Sequence, residues 1–384
     1  MSNAIVPETN IDWLFKAAHL KMVSNPPAVC FYHNKCMDGL ASAWLVNRLF
    51  NYLLKSKVVE SAPAFIPASY SDVDFGIDLI GKGVLLVDFS FKRKQLIEIA
   101  QVASYVIILD HHESAARELV DLPDNVLTSF SGKWDMTEFC GASLVYGMLL
   151  ANYTVPALHD MLGNFFLVKS VIEFIQVRDL WDTENEEAWE SAQNLHYYLL
   201  SHINYPKDKV VNTSIGLQTH ITVKYAFAAL ENALGVGVVI SEGKFDRNDP
   251  FAHREVRQYW KFTQEGSRVY AYHNKLVRSA VATAIMGTIA GHKVPIIVNC
   301  LPELISDALN ILAQDHIFAA SIFTYNKGNA DTVIGVCSMR SDKTKEDGGY
   351  NVALIAESFG GGGHRNAAGF SYVTGPREDI IIGN

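Results

Sequence analysis

The chain of 384 residues lacks the cysteine pattern of a disulfide framework or a structural zinc site. Its five cysteines, Cys30, Cys36, Cys140, Cys300 and Cys337, are odd in number, scattered, and without a C-x-x-C pair. Reduced thiols in a cytosolic protein are the expectation. No apolar run approaches the roughly 18 residues that a membrane span needs; the most apolar stretches are broken by Asp110, Lys169 and Glu173. Residues 1–7 show no basic start followed by an apolar stretch, so no secretory leader is expected. Charge is sparse at 19% of residues, and the formal net charge is −9. A protein that coats long duplex gains affinity from counterion release at a basic face. The acidic balance disfavours that role and suits a small anionic ligand in a focused pocket. What the chain does have is apolar residues, 49% of the total, which at this length suits two folded domains and excludes disorder.

Short apolar runs at residues 29–33, 83–87 and 105–109 each stop at a polar residue, as buried strands do. Residues 39–54 and 92–102 carry apolar positions at helical spacing. This alternation predicts an α/β fold on a parallel sheet, in which ligands collect just past the carboxyl ends of the strands. Helices are predicted over 137–153 and 157–178, followed by an acidic and then aromatic stretch at 183–200. Residues 203–215 read as a linker. The pattern is then mostly helical to about 290, interrupted at Gly235, Gly237 and the polar loop 243–250. Strands are predicted at 295–299, 316–324 and 332–339, and a helix at 351–359 leads into a glycine-rich turn. The expected organisation is a catalytic parallel-sheet domain over 1–205, a helical connector over 206–289 and a smaller α/β domain over 290–384. No internal repeat is present.

Four places in the first domain carry metal-ligand chemistry at strand ends: His33 with Asp38, Asp88, the run Asp110-His111-His112, and Asp179. Carboxylates and imidazoles suit hard or borderline divalent ions. A lone Asp after a strand is usually a helix cap or a turn residue. The coincidence of several Asp and His residues at one sheet edge is what points to a site.

These segments resemble the motifs of the DHH phosphoesterases. Leu109-Asp110-His111-His112 is similar to the triplet that names the family, and Val87-Asp88-Phe89-Ser90 to its second motif. The turn from His33 to Gly39 resembles the first motif. Gly360-Gly361-Gly362-Gly363-His364-Arg365-Asn366-Ala367-Ala368-Gly369 resembles the signature of the DHH-associated C-terminal domain. The motifs stand in the family's order, with Asp110 22 residues after Asp88. The chain resembles nano-RNase/oligoribonuclease and RecJ-like phosphoesterases; the acidic balance and the missing extra nucleic-acid domain count against a RecJ-type DNA exonuclease.

The resemblance implies roles. His33 and Asp88 would bind one metal; Asp38, Asp88, His111 and Asp179 would bind a second, with Asp88 bridging. Asp182 is a rival for Asp179. His112 would face the substrate phosphate or protonate the leaving oxygen, and Asp110 would orient a histidine from behind. The family carries an acid where Cys36 stands, and His33 lies one residue further away than in the plainest pattern. Cys36 is then either a thiolate ligand favouring a softer ion or a small filler. Gly361, Gly362 and Gly363 would aim backbone amides at phosphate oxygens, with His364, Arg365 and Arg340 as further phosphate contacts. The cofactor expected is Mn2+, two ions, with Mg2+, Co2+ or Zn2+ as alternatives. Trp181, Trp189, Tyr197 and Tyr198 either stack on a base or fill a core.

The implied function is two-metal hydrolysis of phosphodiester bonds in short oligonucleotides or linear or cyclic dinucleotides, with the catalytic domain supplying metals and the C-terminal domain gripping phosphate. A phosphoanhydride hydrolase would use the same metal chemistry. A weakened, nucleotide-sensing module is a third reading, motivated by Cys36. The expected partner is a short nucleic acid or nucleotide, with neither membrane nor long duplex; a homodimer is allowed.

Overall fold

The computed structural model describes residues 11–69, 78–131, 138–203, 226–228, 230–231, 252–326, 333–373 and 380–382, with side chains of the helix at 252–263 left aside. The chain divides into two compact units. The first comprises Met1–His111 and Leu119–Val269; the second comprises His112–Glu118 and Tyr270–Asn384.

The first unit is built on a five-stranded parallel sheet. Its strands are β1 (Pro27–His33), β2 (Ala64–Ala68), β3 (Gly83–Val87), β4 (Tyr105–Leu109) and β5 (Val126–Thr128), in the order β2-β1-β3-β4-β5. Every residue of β3 and β4 is buried, as expected of strands covered on both faces. Helices α1 (Ile11–Ser24), α2 (Met37–Lys55) and α3 (Arg93–Val102) precede the short α4 (Glu113–Glu118), which belongs to the second unit. Among the described residues, α5 (Gly141–Asn152), α6 (Val155–Leu162), α7 (Phe165–Asp179) and α8 (Glu186–His202) follow. One core joins Cys30, Tyr32, Leu85, Val87, Ile107 and Leu109 to the apolar faces of α1, α2 and α5–α8. The alternate residue Phe31 packs edge-on against Phe91 on the opposite face, because successive strand side chains point to opposite sides.

The strands at 83–87 and 105–109 stand where the apolar runs placed them. The helix predicted over 157–178 is two helices, because Gly163 takes φ 77 and ends α6. Asn164 then accepts from the Leu167 amide at 3.1 Å and caps α7. Strand β2 carries Pro67, which hid it from the pattern. It lies at the sheet edge, where a missing N–H is tolerated.

The second unit holds a seven-stranded mixed sheet in the order β10-β11-β9-β8-β7-β6-β12. The strands are β6 (Ile285–Ile289), β7 (His292–Val298), β8 (Ala319–Asn326), β9 (Val333–Arg340), β10 (Gly362–His364), β11 (Ala367–Val373) and β12 (Ile380–Ile382). The long helix α9 (Ala252–Val281) leads into it; α10 (Pro302–Gln314) connects the parallel pair β7 and β8, and α11 (Val352–Ser358) precedes β10. Residues 285–289 are strand, not the helix expected up to about 290. The cause is the pair Ala290 and Gly291, both at positive φ (49 and 80), which closes a two-residue hairpin between β6 and β7. The linker expected at 203–215, apart from Ile203, and the breaks at Gly235, Gly237 and 243–250 lie outside the described residues.

Candidate metal centre

Sheet order places the site. Strand β1 passes first to β2 on one side, and the chain then returns to β3 on the other, so the crevice past β1 and β3 is a topological switch point. The register does the rest. Tyr32 pairs with Val87, and Val87 with Leu109. The next residues along, His33, Asp88 and Asp110, therefore stand in a row at the carboxyl edge, although up to 77 positions separate them in sequence.

Asp88 is the centre of the arrangement. It is buried, and its backbone is in the left-handed region at φ 51, a conformation uncommon outside glycine and concentrated at functional sites. Its two carboxylate oxygens face different groups. Oδ2 lies 3.6 Å from His33 Nδ1, and Oδ1 lies 3.2 Å from His111 Nε2. One set of candidate ligands is His33, Cys36 and Asp88; another is Asp38, His111 and Asp179; within each set the ligand atoms lie within 4.8 Å of one another. His111 Nε2 also stands 3.6 Å from Asp38 Oδ2 and 3.5 Å from Asp179 Oδ2.

Asp38 is held from behind. Its Oδ2 accepts the Gly141 amide at 2.6 Å and its Oδ1 the Ala142 amide at 2.7 Å. These are the first N–H groups of α5, whose positive helix end favours a carboxylate. The Cys140 thiol also hydrogen-bonds Asp38. The sequence reading missed Cys140, Gly141 and Ala142, since nothing in a Cys-Gly-Ala run announces an anion cradle. Asp110 has a different place. Its Oδ2 accepts from Ser90 Oγ at 2.5 Å and its Oδ1 from the His111 amide at 2.8 Å, while Ser129 Oγ bridges its backbone N–H and C=O. Asp110 also belongs to a further candidate set with Asp88, His111 and His112, whose ligand atoms lie within 4.8 Å of one another. Asp182, the rival to Asp179, turns away and accepts the Glu184 amide.

The donor set fits a divalent cation. Three buried or half-buried carboxylates, Asp38, Asp88 and Asp179, converge on one imidazole. Even a protonated His111 balances only one of them, and uncompensated buried charge is costly. Asp179 ends α7, at the negative pole of that helix, an unfavourable seat for an anion unless a cation faces it. Oxygen and imidazole ligands together suit Mg2+, Mn2+, Co2+ or Zn2+.

The protonation pattern agrees. Burial alone would lower the His111 pKa, but the hydrogen bond to Asp88 and the charges of Asp179, Asp88 and Asp110 push it up to about 9. Burial, then Asp88 and Asp179, raise Asp38. Burial and the charges of Asp88, Asp179 and Asp38 likewise raise the Cys36 thiol, so a thiolate there requires a cation beside it. A group whose pKa is raised on folding contributes stability at low pH and loses it as pH rises through the raised value. Metal-free protein is therefore expected to melt lower at pH 9 than at pH 6.5, the window between the ordinary and the raised His111 values. Divalent ions should restore the loss, since they displace that proton and neutralise the carboxylates. Melting curves in EDTA and in Mn2+ at both pH values check this; a level or rising EDTA series contradicts it.

In the second unit, segment His112–Glu118 packs with the glycine-rich strand. The His112 and His364 rings stack with centroids 4.6 Å apart, and the Gly363 amide donates to Ser114 Oγ at 2.9 Å. The Gly361 amide donates to Ala356 O. Neither amide is therefore aimed at a ligand as the sequence reading expected, and Gly362 and Gly363 are residues of strand β10 rather than a turn. The glycines act as spacers. Gly363 takes φ 139, and a Cβ there would lie 2.4 Å from Ala367 O. Arg340 uses two of its donors on Met339 O and Ser306 Oγ. Arg365 is tied to the backbone oxygens of Asp347 and Gly348. His364 is half-buried.

Comparison with solved structures finds a similar architecture in a member of the s1p family of ribosomal proteins with a DHH domain. The TM-score is 0.53 at 12% identity, covering 94% of this chain and 87% of that one. The chain has the DHH-domain fold. A pGpG-specific phosphodiesterase from Vibrio cholerae aligns with a TM-score of 0.38 at 10% identity, over 90% of this chain and 93% of its own. An uncharacterized protein of Acanthamoeba polyphaga mimivirus is 25% identical over 361 residues, 90% of this chain and 67% of the relative. No family model matches the sequence. Among the described residues of this DHH-fold chain, no helix is long and apolar enough to cross a membrane.

Proposed function

We propose that the chain is a metal-dependent phosphodiesterase that hydrolyses short oligonucleotides or linear or cyclic dinucleotides. The observation that carries this reading is Asp88, whose two oxygens face two separate ligand sets at the switch point of a parallel sheet. A bridging carboxylate between two divalent ions is how phosphoryl-transfer sites hold their cations. His33, Cys36 and Asp88 would hold one ion, and Asp38, Asp88, His111 and Asp179 the other. Bound ions supply charge neutralisation at the phosphoryl oxygens and activation of water.

The chain's own groups do the rest. The α5 amides hold the Asp38 carboxyl group in place. Asp110, locked by Ser90, holds the turn that presents His111. His112, buried against His364, is positioned as the proton donor to the leaving oxygen. His364 binds substrate phosphate, with Arg340 as a second contact. The net charge of −9 suits a small substrate better than long duplex.

The test is a substrate panel with Mn2+, Mg2+, Co2+ and Zn2+ against dinucleotides, longer oligomers, cyclic dinucleotides, pyrophosphate, polyphosphate and bis-nitrophenyl phosphate. Fastest turnover of the dinucleotides is expected. Preference for pyrophosphate or polyphosphate would make it a phosphoanhydride hydrolase, and nucleotide binding without turnover of any substrate would make it a sensor. His364→Ala should raise KM about tenfold and lower kcat less, as loss of a charge-assisted hydrogen bond in uniform binding does. A pure kcat loss would move His364 into the chemistry.

A further inference from the structure

We propose that Arg178, Trp181 and Trp189 form a stacking platform for a nucleobase of the substrate, beside the metal centre. This rests on the phosphodiesterase reading and deepens it by naming what grips the base.

The platform starts from an unusual helix end. Helix α7 closes with the Asp182 amide on Val177 O at 2.9 Å and the Trp181 amide on Arg178 O at 3.4 Å. That hydrogen-bond pair needs a left-handed residue between, and glycine is the usual choice. Here it is Trp181, at φ 52. A bulky aromatic takes that conformation only at a cost, and what it gains is the direction of its ring. Trp181 and Trp189 meet with centroids 5.0 Å apart at 60°. The Arg178 guanidinium lies 4.2 Å from the Trp181 ring and 5.5 Å from the Trp189 ring.

Two facts separate this cluster from ordinary core. Both tryptophans are only half-buried, while Tyr197 and Tyr198, one helix turn or more further along α8, are fully enclosed at 1% and 2% exposure. The enclosed tyrosines fill the core and are set aside as stacking candidates. The cluster is also tied to the metal centre by the chain itself. Asp179 stands between Arg178 and Leu180, and its carboxylate is 3.5 Å from His111 Nε2. Two half-exposed indoles offer flat apolar surface for stacking, and the guanidinium resting on them favours a ligand that brings a negative charge. A nucleobase attached to a phosphodiester matches both features, and stacking of this kind tolerates any base.

The experiment compares kcat/KM for a dinucleotide with that for the same backbone bearing abasic sites, in wild type, Trp181→Leu and Trp181→Phe. Expected is a fall of about tenfold in the dinucleotide-to-abasic ratio for Trp181→Leu, carried by KM, with most of the ratio kept in Trp181→Phe. An equal loss on both substrates overturns the platform and leaves the phosphodiesterase reading standing. A second readout does not need turnover. Adenosine monophosphate should quench tryptophan emission in the wild type, and the quench should disappear in the Trp181→Leu, Trp189→Leu double variant. If neither substrate is hydrolysed the phosphodiesterase reading fails, and the quench alone decides the platform: lost in the variant supports it, unchanged overturns it. If Trp181→Leu does not fold, Trp189→Leu supplies the same comparison.

Discussion

Asp88→Asn should lower metal-dependent phosphodiester hydrolysis by more than about a hundredfold, beyond what loss of an outer partner of a metal ligand costs. Asparagine is the informative replacement. It has nearly the volume of aspartate, tolerates φ 51 better than most residues, and differs mainly in charge. The variant cannot offer a charged oxygen to both His33 and His111, the two neighbours that Oδ2 and Oδ1 now face. Calorimetric titration with Mn2+ should show at least one tight site gone. Stability should hold, because removing one of three converging carboxylates relieves repulsion while forfeiting the ion pair with His111. Metal-free wild type and variant are expected to melt within about 4 °C of each other. Near-normal turnover in a folded Asp88→Asn variant would remove the bridging role and with it the two-ion arrangement.

Gly141→Ala is expected to damage the same centre from the opposite side. A Cβ at Gly141 would lie 2.4 Å from Asp88 Cβ and 2.8 Å from Asp88 Cα, contacts that side-chain rotation cannot relieve. Either the start of α5 or the end of β3 must move. The Gly141 and Ala142 amides hold the Asp38 carboxylate, so moving α5 displaces Asp38, while moving β3 displaces Asp88. The overpacking should cost about 1–3 kcal/mol, read as a lower denaturant midpoint without a changed slope. Divalent-ion affinity and turnover should each fall more than about tenfold, since ligand placement tolerates little displacement. Wild-type affinity together with wild-type stability would show that this helix end slides freely and that its amides do not fix Asp38.

Much of the site was legible because its parts are local. Asp88 and Asp110 follow apolar runs whose lengths match the observed strands, and the DHH-like turn carries its own signature. What hid the remainder was distance along the chain. Cys140, Gly141 and Ala142 lie about a hundred residues from Asp38, and only helix packing brings their amides to its carboxylate. The glycine-rich segment was misjudged for a related reason. Glycine in sequence is equally a free amide or a spacer, and only the partners of Gly361 and Gly363 show that these are spacers. Trp181 and Tyr197 look alike as aromatic residues near α8, yet one is half-exposed at a left-handed helix end and the other is enclosed.

By itself the sequence determined the types of donor available, the parallel α/β character of the first unit and the acidic net charge, because these follow from residue chemistry and short-range periodicity. The tertiary structure alone decided which donors share a cage, that Asp179 and not Asp182 faces His111, that Asp88 turns one oxygen to each side, and that Arg178 rests on two indoles. Those outcomes depend on strand order, register and helix ends meeting across long stretches of chain, and no local pattern encodes such meetings.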